Sequence, residues 1–202
     1  VQAARYFGVK HAIAVNSWTS GLIAAVGAIG LEPGDEVITT PWTMAATATA
    51  ILHWNGIPVF ADIDSGTFNI SPASVERLIS PRTRAILAVD IFGQSADMKA
   101  LRAIADKHGL KLLCDTAQAP GARDGITYVG TLADIGGYSL NYHKHIHCGE
   151  GGIFGREEIE QPLRQAGPTG CAGKLGRIRN PGQWGQTTRG RPAAPRCASR
   201  RP

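Results

Sequence analysis

Apolar residues along this chain come in short unbroken runs, separated by stretches where they recur at helical spacing. HAIAV (11–15) reads as a buried strand and TSGLIAAVGAIG (19–30) as a helix behind it. GDEVITT (34–40) predicts a strand, and TMAATATAILHW (43–54) a helix that stops at Asn55-Gly56. IPVFADI (57–63) predicts the next strand. In SPASVERLI (71–79), Ser71 stands at an N-cap position and Pro72 at the first helical one, a strong start signal. RAILAVDIFG (84–93) is a strongly apolar strand, and ADMKALRAIADKHG (96–109) an amphipathic helix with Gly109 as its stop. LKLLCD (110–115), DIGGYSL (134–140) and GGIFG (151–155) predict three more strands.

Strands alternating with helices at this spacing predict an α/β fold, a mostly parallel sheet flanked by helices. In such sheets the ligand crevice lies outside the carboxyl ends of the strands. That rule selects NSWTS after HAIAV, Asp90 after AILAV, and Asp115 after LKLLC.

The pattern ends near residue 155, which divides the chain into a domain over 1–155 and a tail over 156–202. Residues 161–202 hold no Asp or Glu, 13 Gly or Pro, and only Leu163, Leu175 and Ile178 among Leu, Ile, Val and Phe. So little apolar surface cannot offset the entropy of ordering the chain, and disorder is the expectation. Charge divides at the same place. Residues 1–155 carry 11 Lys/Arg against 13 Asp/Glu, a net of −2, and residues 156–202 carry 10 against 3, a net of +7. The overall charge of +5 therefore does not describe a basic binding face on the folded part. No nucleic-acid partner is expected, because the tail has one aromatic residue, Trp184, and no recognisable binding motif. Cys114, Cys148, Cys171 and Cys197 form no CxxC pair, which favours free thiols in a reducing compartment. No apolar run is long enough to cross a bilayer, and no signal peptide is visible, so the cytoplasm is the expected location. The chain begins at Val1, which leaves room for residues upstream.

Three residue groups carry candidate chemistry. Thr19 and Ser20 lie where a strand turns into a helix, so their hydroxyls and N–H groups could hold a phosphate, or simply cap the helix. Asp115 ends a strand, where a carboxylate could pair with a cation, orient a histidine, bind a metal or cap a helix. Gln118 lies one turn on if a helix starts there. Lys144 sits in SLNYHKHIHCGEGG (139–152), directly after an apolar, glycine-rich strand. A lysine taken out of water becomes a nucleophile or base, as Schiff-base chemistry requires. Ser139 is close enough in sequence to share its pocket rim. His143, His145 and His147 would share one face of an extended segment, but the spacing lacks an obvious fourth ligand, and no metal is assigned. A phosphate cradle, a crevice carboxylate and a buried lysine on one sheet form the set that pyridoxal phosphate needs.

Over residues 5–155 the chain resembles the DegT/StrS-type nucleotide-sugar aminotransferases, pyridoxal-phosphate enzymes of the aspartate-aminotransferase fold. The resemblance rests on AVNSWTSGL, LEPGDEVITTPWTMAATATAI, GIPVFADIDSGTFNISP, DIFGQSADM, DTAQAPGA and GGYSLNYHKHIHCGEGG. It implies that Lys144 carries the cofactor as a Schiff base and that Asp115 pairs with the ring nitrogen. It further implies that Gln118 bonds the phenolic oxygen, and that Thr19, Ser20 and Ser139 hold the phosphate. The implied reaction moves an amino group from an amino acid, typically glutamate, to a keto group on a nucleotide-linked sugar. A homodimer is implied on the same ground.

Some positions depart from the family pattern. Trp18 stands where glycine is common, and Met44 where an aromatic often stacks on the cofactor ring. Trp42 could take over that packing, or belong to the core. Asp90 stands where many relatives have histidine. A related dehydratase branch replaces the lysine by histidine, whereas YHK keeps lysine at 144. The family continues beyond the lysine into more of the cofactor domain and a smaller second domain. This chain loses the resemblance soon after Gly155, and its ending reads like a shifted reading frame. Translating the other frames of the underlying DNA tests that, since finding no family-like text there would count against it. Three readings follow: a partial cofactor domain of a working aminotransferase, an inactive, truncated remnant of one, or a relative of the sugar dehydratase type.

Overall fold

In the computed structural model, residues 2–156 are described. The disorder expected of the tail lies outside those residues.

The strands are β1 (His11–Val15), β2 (Glu36–Thr39), β3 (Ile57–Phe60), β4 (Thr83–Val89) and β5 (Lys111–Asp115). They continue with β6 (Arg123–Asp124), β7 (Thr127–Tyr128), β8 (Ile135–Ser139) and β9 (Gly152–Arg156). The helices are α1 (Gln2–Phe7), α2 (Trp18–Ala28), α3 (Ala45–Leu52), α4 (Pro72–Leu78) and α5 (Met98–His108). Seven strands form one sheet in the order β1-β9-β8-β5-β4-β2-β3, and β6 and β7 form a separate hairpin.

Alternation along the central strands explains why both faces are covered. On β4, Ala85 and Leu87 pack with α2 and α3, while Ile86 and Ala88 pack with α4 and α5. β5 does the same, with Leu113 on the first face and Leu112 and Cys114 on the second. Burial on both faces makes these strands read as unbroken apolar runs. Trp54 ties the first layer together, its indole N–H donating to the Ile23 carbonyl at 2.8 Å. On the second face Leu101 of α5 is fully buried. Leu101→Ala should cost about 3 kcal/mol, the usual range for an uncollapsed core cavity, read as a lower urea midpoint.

Helix ends follow the expected chemistry. Ser71 accepts the Ser74 N–H at the start of α4, and Asp97 accepts the Ala100 N–H at 3.0 Å to start α5. Gly109 ends α5 in the left-handed region at φ 66°, a conformation that favours glycine.

The sheet is mostly parallel, as expected; β9 is the strand that runs against the rest, pairing antiparallel with both β8 and β1. The chain returns from β8 without a crossover helix, so the next strand must reverse. Three readings need correction. HAIAV is not a buried strand. Among the described residues β1 lies at the sheet edge, paired with β9 alone, and is largely half-buried. Second, Gln118 sits on a turn after β5, not on a helix. Third, 142–150 consists mainly of turns and bends, so the alternation of His143, His145 and His147 does not place them on the face of an extended strand. Helix α1, a 3-10 turn at Ile91–Gly93 and the β6–β7 hairpin were not foreshadowed by the apolar pattern.

Candidate active site

Strand ends and register bring the selected residues to one side of the sheet. Val15 of β1 and Ser139 of β8 both pair with Gly152, which lies between them. Asp115 of β5 pairs with Gly137, two residues before Ser139. The first turn of α2 starts beyond Val15, and Ser17 caps it by accepting the Ser20 N–H at 3.1 Å. The cap is therefore Ser17. Thr19 is exposed and Ser20 half-buried in the first helical turn, where backbone donors and the helix dipole favour an anion. Ser139 is buried, and its hydroxyl accepts the Asn141 N–H at 3.4 Å.

Asp115 is 3% exposed. Its Oδ1 accepts the Trp18 indole N–H at 2.6 Å and the Ala117 N–H at 3.2 Å. Its Oδ2 accepts the Thr47 hydroxyl at 2.9 Å, and Thr47 in turn lies 3.0 Å from the Thr43 hydroxyl. Burial pushes the Asp115 carboxyl above its ordinary value, while the Trp18, Thr47 and Ala117 donors and the Lys144 charge pull it back down. A carboxylate oxygen can accept two bonds, so Oδ2 keeps a free acceptor position among the described residues. A cationic donor placed there would favour the ionised form.

Lys144 ends a turn, its N–H donating to the Asn141 carbonyl at 2.9 Å. Its side chain is half-buried, not enclosed, and forms no ion pair among the described residues. The Gln118 carbonyl Oε1 accepts the Phe92 N–H at 2.8 Å, which leaves the amide NH₂ as the available end among the described residues. Phe92 itself has a positive φ of 54°.

Met44 precedes α3 and is 66% exposed. Trp42 is 48% exposed and is not core. Its ring lies 6.4 Å from Phe68, which lies 6.2 Å from Phe92, so an exposed aromatic group lines up beside the strand ends.

Asp90 is fully buried and acts as a tie between loops. Oδ1 accepts the Ala96 N–H at 2.9 Å, and Oδ2 accepts the Thr116 hydroxyl at 2.8 Å and the Cys114 thiol at 3.1 Å. Burial raises the Asp90 carboxyl above its ordinary value against those donors. A raised folded value means the folded state binds the extra proton, so this group's contribution falls as pH rises through that window. Asp90→Asn should therefore gain stability relative to the unaltered chain between about pH 4 and about pH 7. Urea midpoints of both proteins at the two pH values check this, and a relative loss would reject it. Cys114 is buried and its thiol is pushed well above its ordinary value, which makes it inert, whereas Cys148 is exposed.

His143, His145 and His147 are all exposed. Among the described residues no group of three His, Cys, Asp or Glu side chains could hold a metal ion. No helix there is long and apolar enough to cross a membrane.

Sequence reasoning missed two residues, Trp18 and Thr47, that touch Asp115 directly. A threonine within the small apolar residues of α3 was the only available signal for Thr47. For Trp18 it was the departure from glycine.

Residues 1–177 match the DegT/DnrJ/EryC1/StrS aminotransferase family, a span that runs past Gly155. The chain is 43% identical over 157 residues to L-glutamine:2-deoxy-scyllo-inosose aminotransferase of Streptomyces paromomycinus, covering 78% of this chain and 37% of that protein. It is 38% identical over 180 residues to the UDP-N-acetyl-3-dehydro-alpha-D-glucosamine 3-aminotransferase of Acidithiobacillus ferrooxidans, covering 88% and 46%. The structure of NtdA from Bacillus subtilis with bound cofactor PMP superposes with a TM-score of 0.74 at 35% identity, covering 78% of this chain and 35% of that one. The chain thus spans less than half the length of these proteins. The fold, the ordered motifs and a match over most of its residues agree: the chain belongs to the DegT/DnrJ/EryC1/StrS aminotransferase family.

Proposed function

We propose that residues 1–155 are part of the cofactor domain of a pyridoxal-phosphate aminotransferase acting on a keto group of a nucleotide-linked sugar, with 156–202 a separate basic tail. One observation carries the reading: a buried carboxylate at a strand end, Asp115, is held by Trp18, Ala117 and Thr47 and keeps an acceptor position on Oδ2 open among the described residues. The donor set fits the cofactor. Asp115 Oδ2 suits a protonated ring nitrogen, the free NH₂ of Gln118 suits a phenolate, and the α2 first turn with Thr19, Ser20 and Ser139 suits a phosphate. When bound, pyridoxal phosphate supplies an electron sink for the carbon that loses or gains the amino group.

The chain's own residues then have distinct tasks. Lys144 Nζ would hold the cofactor covalently at rest and, once the amine of the incoming amino acid displaces it, would be free to move a proton at the reacting carbon. Asp115, ionised beside the ring nitrogen, would favour its protonated form. Gln118 and the serine and threonine groups orient the ring and anchor its charged end. Met44 and Trp42 offer apolar surface at the rim.

Glutamate is the proposed amino donor, and glutamine is the alternative that the name of the Streptomyces relative suggests. The nucleotide-linked acceptor draws support from the Acidithiobacillus one. Trp42, Met44, Phe68 and Phe92 are exposed beside the site, a surface suited to cover by a second copy, so a homodimer is proposed. Light scattering of the purified chain decides that point.

Mixing the cofactor-loaded chain with glutamate, and separately with glutamine, tests the function. Conversion of the visible band to the amine form by glutamate is expected. Conversion by glutamine alone would replace the donor, and no conversion by either would leave the inactive reading standing.

A further inference from the structure

We infer that Trp18 is a positioning residue for Asp115, its indole N–H holding Oδ1 so that Oδ2 is the oxygen left to meet a ring nitrogen. The inference rests on the cofactor reading above. It starts from one contact, 2.6 Å long, between groups 97 residues apart in sequence and both buried. A contact across that separation is made by the fold, not by local chain geometry.

The donors on the two carboxylate oxygens differ in kind. An indole N–H donates only and points where its ring points. The Thr47 hydroxyl can rotate, and it has a second hydroxyl, Thr43, within 3.0 Å. Oδ1 therefore receives two fixed N–H groups, from Trp18 and Ala117, and Oδ2 receives one adjustable hydroxyl. The terminal torsion of aspartate is broad and two-fold, so without such asymmetry the carboxylate could present either oxygen. The indole removes that freedom.

The ring also has a seat made for it. A Cβ on Gly137 would come within 2.3 Å of the Trp18 ring, and one on Gly21 within 2.5 Å. A Cβ on Gly152 would meet the Trp18 backbone at 2.9 Å. Two strands and the helix itself stay bare where the residue lies, and Gly137 is also the register partner of Asp115. Any buried indole N–H needs an acceptor, and the one this fold supplies is the crevice carboxylate. Hydrogen bonding to the charged form also favours ionisation, which works against burial at Asp115.

The test uses the full chain without cofactor first. With isotope-labelled tryptophan, the Trp18 indole N–H resonance is identified by its loss in Trp18→Phe. Asp115→Asn should shift that resonance and speed its solvent exchange about tenfold, as expected when a charge-assisted bond weakens. The other tryptophan signals should stay in place. Benzothienylalanine at position 18 then keeps the ring shape and replaces N–H by sulfur, so folding is preserved and only the donor is lost. With ring-labelled pyridoxal phosphate, that variant should move the ring-nitrogen resonance toward its unprotonated position and weaken cofactor binding about tenfold. An unchanged ring-nitrogen resonance, or an indole signal indifferent to Asp115→Asn, would reduce Trp18 to a core plug. If the unaltered chain binds no cofactor at all, the cofactor reading fails, while the indole measurement still decides whether Trp18 holds Asp115.

Discussion

Lys144→Ala is expected to abolish borohydride-stable attachment of pyridoxal phosphate to this chain. In the unaltered protein, reduction should bleach the visible band and leave the cofactor mass on the peptide containing residue 144. In the variant the band should be absent and the peptide unmodified. Lys144 is half-buried at the end of a turn and forms no ion pair among the described residues, so its truncation leaves no core cavity. Folding should change by less than about 0.5 kcal/mol, as for an ordinary surface substitution. Half-reaction with an amino acid should slow by a factor on the order of ten thousand, because both the covalent hold and the proton carrier are gone. Equal labelling of variant and unaltered chain would remove Lys144 from its role.

Asp115→Asn carries the second large effect. The amide keeps the shape of the side chain, and its oxygen can still accept the Trp18 and Ala117 N–H groups. Its NH₂ would then face the position where Oδ2 accepts from Thr47 and where a protonated ring nitrogen would stand. Two donors cannot share that place, and the ring would lose its counter-charge. Removing one partner of a buried, hydrogen-bonded charge pair costs about 3 kcal/mol, so cofactor binding should weaken on the order of a hundredfold. Stability should move the other way. Burial raises the Asp115 carboxyl in the folded state, so its ionised form weighs against folding once pH rises through that value. The variant should gain on the unaltered chain as pH increases from about 4 to about 7. Unchanged cofactor affinity, measured by titration of the visible band, would separate Asp115 from the ring nitrogen.

The two effects differ in what they leave behind. Lys144→Ala removes the attachment and preserves the crevice, whereas Asp115→Asn preserves the attachment and alters the charge beneath it. Trapping at saturating cofactor should therefore still succeed in Asp115→Asn. That contrast distinguishes a lost amine from a lost counter-ion.

Much of the fold was legible because local rules are strong here. Central strands buried on both faces must be apolar throughout, so RAILAV and LKLLC could hardly be anything else. Ser71-Pro72 and Gly109 mark helix ends through φ preference and cap chemistry that depend on neighbours only. Asp115 was singled out by the rule that ligands gather at strand ends, and Lys144 by an amine placed after a glycine-rich strand. HAIAV shows the limit: its alanines and valine suit a buried strand, yet burial depends on how many neighbours a strand receives, and among the described residues β1 receives one. The three histidines show another, since period-two spacing has meaning only on extended backbone, and 142–150 turns instead.

By itself, then, the order of residues determined the alternation of strand and helix over most of the domain, the start of α4 and the end of α5, and the identities of an acid and an amine at crevice positions. These are set by backbone torsions and by which residues tolerate burial, both read within a few neighbours. Tertiary structure alone decided the reversed β9, the edge position of β1, and the partnership of Trp18 and Thr47 with Asp115. A hydrogen bond across 97 residues exists only once sheet order and register bring α2 beneath the end of β5, and no local preference encodes that distance.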